Sequence, residues 1–405
     1  MKVKFRHKVL RFCLEPILKP LMYIKYGYRT KKIKEKDYNL KPPYLILATH
    51  YAQLDPLMME LSFPRHLYFV ANDDIFNSKI ISGLINYIAS PIPISKGIPD
   101  ITTIINIKKI VAQNGCVAVF PEGNTTYTGV TGNISETIGK LIKMLKIPVV
   151  FYRFDGLFFV APRWGRYKNR GPSSGGVIKV LQPSEYEKLQ PEQINAIVRE
   201  KLYYNSYQSQ KVHNQNFKGR RKAENLERVL YQCPSCKSYS TLNSRSNDFF
   251  CTVCGYKVTI NSFGFFESEK IIYDNIHDWY QFQLAELKKI DFSAVSTGEV
   301  LCHEEKLNLY WGARRKRKKR IGRQGTMKMF KNRIEYYSED ITLVLLLDNI
   351  KHIVPSQKRS VFLYMNDGDI YKLKFNLSGY IVKTINFFYA IKNYNQGGNY
   401  DYMGL

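Results

Sequence analysis

The chain has 405 residues, 44% of them hydrophobic and 23% charged, a balance that excludes a chain dominated by disorder and allows two or three domains. Its 61 Lys and Arg against 34 Asp and Glu give a net charge of +27, which favours polyanionic partners: an anionic bilayer, nucleic acid or phosphorylated substrates. No run of about 18 uninterrupted apolar residues occurs, so no transmembrane helix is expected.

Residues 1–40 form a basic N-terminal segment, and residues 1–41 alone hold 13 Lys and Arg against 3 acidic residues. Leu10, Leu14, Ile17, Leu18 and Leu21 share one helical face, with Lys4, Lys8, Arg11 and Lys19 nearby. This predicts an amphipathic segment that either lies in a bilayer interface or docks on its own domain. Pro16 and Pro20 weaken any continuous helix there. Between residues 41 and 205, short apolar runs alternate with helical patterns. YLILAT (44–49), LYFVA (67–71), CVAVF (116–120) and PVVFY (148–152) read as buried strands; ITTIINIKKIVAQ (101–113) and SETIGKLIKMLK (135–146) read as helices. Such alternation implies an α/β domain with a largely parallel sheet flanked by helices. A polar stretch makes 206–228 a linker, and 229–262 holds paired cysteines. Over 294–395 the period changes to two, in EVLCHEEKLNLYW, TMKMFKNRIEYYS, SVFLYM and DIYKLKF, with Asp367-Gly368 as a hairpin signal. The helical pattern SGYIVKTINFFYAIKN closes this antiparallel module.

Chemistry concentrates in the first domain. His50 ends a strand and Asp55 follows five residues on, before Pro56. Alone, this pair is also explained by an aspartate N-cap with proline in the first helical turn. The segment FPEG (120–123) puts Glu122 just past a second strand, and residues past strand C-termini converge on one edge of a parallel sheet. Histidine suits proton abstraction at neutral pH. A carboxylate on the far ring nitrogen would fix the tautomer and stabilise the imidazolium.

THYAQLDP, PIPISKG, FPEGN and KIPVV stand in the order and approximate spacing of the four motifs of glycerolipid acyltransferases, and the chain resembles that family over about residues 40–205. The resemblance implies His50 as general base oriented by Asp55, with Lys96, Glu122, Gly123, Asn124 and Arg163 at the substrate. It also implies an acyl-CoA or acyl-carrier-protein donor and a lysophospholipid acceptor, by default 1-acylglycerol 3-phosphate. Two departures bear on that acceptor. The family's second motif usually has arginine where this chain has Lys96, and its third has arginine where this chain has Thr125. Lysine lacks the bidentate fork that suits phosphate. Arg163, Arg166 or Arg170 compensates, or the acceptor is not a simple phosphomonoester. A non-catalytic lipid- or nucleic-acid-binding protein on the same fold is the alternative.

Cys233, Cys236, Cys251 and Cys254 form two CxxC pairs separated by fourteen residues, the spacing of a structural zinc ribbon. Paired thiols of this kind suit a reducing compartment, so the expected location is cytoplasmic, peripheral on the inner membrane face. The module over 294–395 is similar to GRAM and pleckstrin-homology-like domains in its strand pattern and closing helix. Arg314 to Arg320 is seven consecutive basic residues, expected in its first hairpin loop, where anionic membrane lipids or nucleic acid are the candidate partners.

Overall fold

The computed structural model describes residues 2–72, 79–94, 100–313, 318–376 and 379–398. Lys96 and Arg314 to Arg317 therefore lie outside the described residues. The chain divides into two compact units: residues up to 163 with 168–218, and residues from 219 onward with 164–167. No described helix is long and apolar enough to cross a membrane.

The first unit opens with α1 (Phe5–Tyr26), β1 (Tyr28–Arg29), β2 (Leu45–Ala48), α2 (Asp55–Ser62), β3 (Leu67–Asn72), α3 (Lys79–Ile88) and β4 (Ile92–Ile94). It continues with α4 (Ile101–Val111), β5 (Cys116–Val119), α5 (Thr137–Leu145), β6 (Val149–Asp155), α6 (Leu157–Val160), β7 (Ser173–Leu181), α7 (Pro183–Tyr186), α8 (Pro191–Leu202) and α9 (Ser206–His213). The strands form one sheet in the order β1-β7-β6-β2-β5-β3-β4. Its centre is parallel, as the alternating pattern predicts, and β7 runs antiparallel to β6. Strands β2 and β5 are buried at every position, which is why they read as continuous apolar runs. Leu45, Leu47, Val117, Val149 and Phe151 pack there with Ile107, Ile110, Ile138 and Ile142 of the covering helices.

Two features near the ends of this unit depart from what the sequence suggests. Helix α1 runs unbroken through Pro16 and Pro20. Both prolines are exposed, so the backbone bonds they remove face away from the docked side, where packing holds the helix together. Gly27 ends it in the left-handed conformation (φ 62°), with its N–H donating to Tyr23 O, and a Cβ there would sit 1.9 Å from Gly171 O. Residues 206–213, expected within a linker, form α9. Asn205 caps it by accepting from Tyr207 N and Gln208 N, and Tyr207 and Gln210 are buried.

The second unit holds β8 (Leu242–Arg245), β9 (Asp248–Cys251), β10 (Lys257–Ile260), β11 (Phe266–Glu267) and α10 (Ile276–Lys288). Then come β12 (Cys302–Ala313), β13 (Lys319–Met329), β14 (Arg333–Tyr337), β15 (Thr342–Leu346), β16 (Ile350–Ser356), β17 (Ser360–Met365), β18 (Asp369–Lys374) and α11 (Ile381–Gln396). A small sheet, β11-β10-β9-β8, carries the paired cysteines. Trp279 of α10 is fully buried and lies 5.4 to 5.9 Å, between ring centroids, from Phe249, Tyr256 and Phe266. The remaining strands form a seven-stranded antiparallel sheet, β15-β14-β13-β12-β18-β17-β16, in which two meanders meet through β12 and β18. Gly368, at φ 97°, turns the β17–β18 hairpin where the Asp-Gly pair predicts it. Helix α11 closes the module. Its buried Lys383 pairs with buried Glu304 at 2.7 Å, and Lys392 Nζ donates to Ile350 O and Lys351 O.

Candidate active site

The site is built by the register of two neighbouring strands. In the parallel pair β2–β5, Leu47 stands opposite Val119, so the chain leaves both strands at one edge. Three residues further along each chain come His50 and Glu122. His50 N–H donates to Glu122 Oε1 at 3.0 Å, and Gly132 N–H donates to Glu122 Oε2 at 2.8 Å. The Glu122 carboxyl thus ties the end of β2 to the loop after β5. Thr126 N–H donates to His50 O at 2.9 Å and adds a second tie. The Thr126 hydroxyl donates to Val130 O and accepts from Thr128 N and Gly129 N, which holds the loop's own shape.

On this base the imidazole and Asp55 meet. His50 Nδ1 lies 2.8 Å from Asp55 Oδ2. The Asp55 side chain is fully buried and also accepts from Tyr51 N at 2.6 Å and Ala52 N at 3.0 Å. Asp55 begins α2 but does not cap it: its carboxylate turns back into the loop 50–54, and Pro56 follows in the first turn. With Nδ1–H donated to the carboxylate, the imidazole presents Nε2 as its basic nitrogen. Among the described residues Nε2 has no partner, and 18% of the His50 side chain remains open. Phe120 stacks on the ring with centroids 4.2 Å apart and planes 21° from parallel, which fixes its tilt.

The other candidate residues take different places. Glu122 is buried, and both its oxygens are occupied by backbone donors, so its contacts position the loop. Burial, with a smaller contribution from the Asp55 charge, pushes its carboxyl up to about 8, against the two backbone N–H groups that favour ionisation. Gly123 adopts φ 69° in the turn after β5, with its N–H on Phe120 O, and Asn124 is buried beside it. Arg163 approaches the same loop from the far side of the sequence. Its guanidinium donates to Thr125 O at 2.6 Å and lies 4.0 Å over the Tyr127 ring. Only 8% of Arg163 is exposed, and burial lowers the affinity of its side chain for the proton. Arg170, by contrast, is engaged through its backbone with Lys218. Phe120, Thr126 and Gly132 are site residues that sequence reasoning missed. Phe120 stands two residues before Glu122, at the start of FPEG; the other two act through backbone bonds that leave no trace in spacing.

A second centre lies in the small sheet. Cys233–Cys254 and Cys236–Cys251 have Sγ–Sγ distances of 3.6 and 3.7 Å, and all four sulfurs lie within 4.8 Å of one another. A tetrahedral zinc with sulfur at about 2.3 Å requires sulfur–sulfur edges near 3.8 Å. The two knuckles repeat one geometry. Cys233 N donates to Ser238 O and Cys251 N to Tyr256 O; Lys237 N returns to Cys233 O and Gly255 N to Cys251 O. Lys237 and Gly255 both take positive φ, 61° and 73°. The donor set therefore fits zinc, with Cys233, Cys236, Cys251 and Cys254 holding it and no position left for a substrate.

Residues 29–152, which hold β2 to β5, His50, Asp55 and Glu122, match the acyltransferase family model. That match supports the acyltransferase family and general acyl transfer. Among solved structures, the 1-acyl-sn-glycerophosphate (LPA) acyltransferase PlsC from Thermotoga maritima aligns at 14% identity and a TM-score of 0.41, over 49% of this chain and 80% of that one. The C-terminal domain of an unknown protein from Leishmania infantum aligns at 15% identity and a TM-score of 0.15, over 25% of this chain and 84% of that one. Inner Membrane Complex Sub-compartment Protein 3 from Toxoplasma gondii aligns at 11% and 0.17, over 28% and 82%. No curated protein matches the chain.

Two predictions follow from this geometry. Because the folded value of Glu122 lies above the ordinary 4.5, its contribution to stability is complete below about pH 4.5 and is lost as pH rises through about 8. Glu122→Gln cannot ionise but turns an amide NH2 toward one of two backbone donors. Denaturant unfolding should show it about 1–3 kcal/mol less stable than the parent at pH 5, with a flatter profile from pH 5 to 8; parallel profiles would contradict the assignment. At the cysteine cluster, elemental analysis should find one zinc per chain. Cys236→Ser combined with Cys254→Ser should lose it and lower the melting temperature, and protein free of zinc at full stability would exclude the centre.

Proposed function

We propose that the chain is a peripheral acyltransferase that moves a fatty acyl group from acyl-CoA or acyl-carrier protein to a lysophospholipid hydroxyl, by default that of 1-acylglycerol 3-phosphate. The single observation that carries the chemistry is the buried Asp55 carboxylate on His50 Nδ1, at a strand end within the stretch that matches the acyltransferase family model. In this reading Nε2 takes the proton of the acceptor hydroxyl as its oxygen attacks the thioester carbonyl carbon. The thiolate of the donor leaves as the tetrahedral adduct collapses, and the proton on His50 returns to it. Asp55 keeps Nδ1 protonated throughout and stabilises the transient imidazolium. The substrate supplies the nucleophile, so no enzyme serine is needed.

The acceptor class turns on Arg163. Thr125 stands where the resemblance leads one to expect arginine, which favours an acceptor without phosphate. Yet the Arg163 guanidinium rests on Thr125 O, and Thr126, next in the chain, bonds the His50 carbonyl. A nearly buried cation whose described contacts are a carbonyl oxygen and an aromatic face supports an anionic acceptor. We further read the C-terminal antiparallel module as a GRAM or pleckstrin-type binder of anionic lipid, supported by its two meanders, its closing helix and the adjacent basic run. The enzyme then works on the inner face of the membrane.

His50→Ala should reduce acyl transfer by at least about a thousandfold without changing the melting temperature. For the partner, Asp55→Asn is the informative change, because alanine would also strand the Tyr51 and Ala52 N–H groups. Asparagine should cost a similar factor, through loss of the correct tautomer. Transfer that survives His50→Ala, measured by lipid mass spectrometry with both donor types, would overturn the mechanism. Arg163→Lys keeps the charge but loses the planar fork. It should raise KM for a phosphate-bearing acceptor about tenfold and leave KM for a neutral glycolipid or alcohol unchanged; equal changes for both would remove Arg163 from acceptor recognition.

A further inference from the structure

The first cysteine knuckle lies in a short segment, residues 231–242, that two different structures hold at once. Cys233 and Cys236 commit it to the sulfur cluster. Ser238 Oγ lies 3.0 Å from Cys236 Sγ, and Thr241 Oγ1 lies 3.3 Å from Cys251 Sγ and 2.6 Å from Ser238 Oγ. Hydroxyls this close to metal-binding sulfurs orient them and stabilise their thiolate form. The other hold comes from α11. Tyr380 OH donates to Leu242 O at 2.9 Å, Lys383 Nζ to Ser240 Oγ at 2.7 Å and Asn386 Nδ2 to Tyr231 OH at 3.0 Å. These donors recur every third residue and so share one side of the helix, an arc of about 120°. Tyr239 also meets Phe387 edge-on, with ring centroids 5.8 Å apart.

The Lys383 contact is the sensitive one. Lys383 is buried, and its ammonium also pairs with Glu304 at 2.7 Å and donates to His303 O at 3.1 Å. An ammonium has three protons to give, so losing Ser240 leaves a buried cation short of a partner. Ser240 itself takes φ 59°, a conformation that a residue with a side chain keeps only when its neighbours enforce it. Tyr231 N and Gln232 N are held by Gln283 of α10, so the start of the segment is anchored without the metal. Residues 236–241, by contrast, turn around the sulfurs. Cys236 and Cys254 are exposed, which gives a metal ion or a chelator a way in. We infer that zinc occupancy and the docking of the first half of α11 on the cysteine-bearing sheet are one linked equilibrium. Bound metal fixes Ser240 for Lys383, and metal loss loosens the helix that closes the C-terminal module. Linkage runs both ways, so changes in α11 must be felt at the sulfurs. The inference rests on the zinc assignment and is independent of the acyl-transfer reading.

The test uses the full zinc-loaded chain and reads apparent zinc affinity by competition with a chelator. Lys383→Met, which touches no sulfur, should weaken zinc binding at least about tenfold. Ser240→Ala and Tyr380→Phe should each weaken it about threefold, so that one poorly folding variant does not decide the result. Lys392→Met is the control, because it removes another buried lysine of α11, one that donates to Ile350 O and Lys351 O. It should lower the melting temperature and leave zinc affinity unchanged. In the parent, stripping the metal should speed amide exchange over residues 381–388 at least about tenfold. Lys383, Ser240 and Tyr380 variants that all bind zinc like the parent would overturn the inference. So would equal losses in Lys383→Met and Lys392→Met, since the effect is then a general loss of stability, and so would exchange in α11 that ignores the metal. A parent that holds no zinc removes the centre itself, and the linkage with it.

Discussion

The structure of the candidate site depends on one buried carboxyl. Glu122 accepts a hydrogen bond from the chain leaving β2 and another from the loop leaving β5, and so holds two separate strand ends at one distance. The rest of the candidate site hangs from that brace. The His50 backbone is fixed by it, the imidazole is then aimed by Asp55 from one side and Phe120 from the other, and Thr126 closes the loop on the His50 carbonyl. A strand-end imidazole keeps its geometry only if its backbone is held, and a nearly dry brace between parallel strands supplies that more firmly than an exposed loop can.

Asp55 shows why a bland and a sharp reading of one residue can share a spacing. An acid before proline at a helix start is a good capping pattern, and the helix does begin there with Pro56 in its first turn. The carboxylate nevertheless faces backward, bonded to Tyr51 N, Ala52 N and the imidazole. A carboxylate at this position can cap the helix or hold the imidazole; only the rotamer separates the two. In the second unit the cysteine knuckles face the opposite situation. Their chemistry leaves few alternatives, because four thiols this close demand a cation or protons, but the fold around them comes from an unexpected source. Trp279, on a helix that no metal spacing announces, provides the apolar centre the small sheet lacks.

Three features concentrate the positive charge of the chain. Residues 1–41 hold thirteen Lys and Arg, the Arg163 guanidinium is nearly buried on Thr125 O, and residues 314–320 are the densest basic run of the sequence. A chain with this charge would bind polyanions of many kinds.

The sequence by itself determined strands β2, β3, β5 and β6, the paired spacing of the four cysteines and the last hairpin. Each of these is written in local period, local turn chemistry or short spacing. Strands buried on both faces show as apolar runs, and Asp-Gly dictates a turn wherever it stands. Tertiary structure alone decided that Glu122 braces backbone, that Arg163 reaches Thr125 across 38 residues of sequence, and that α1 survives two prolines. It also decided which apolar face of α1 stays open. The two faces differ little in composition, and a helical pattern cannot say which one the rest of the fold will cover; that depends on where Arg11 and Glu15 find their partners.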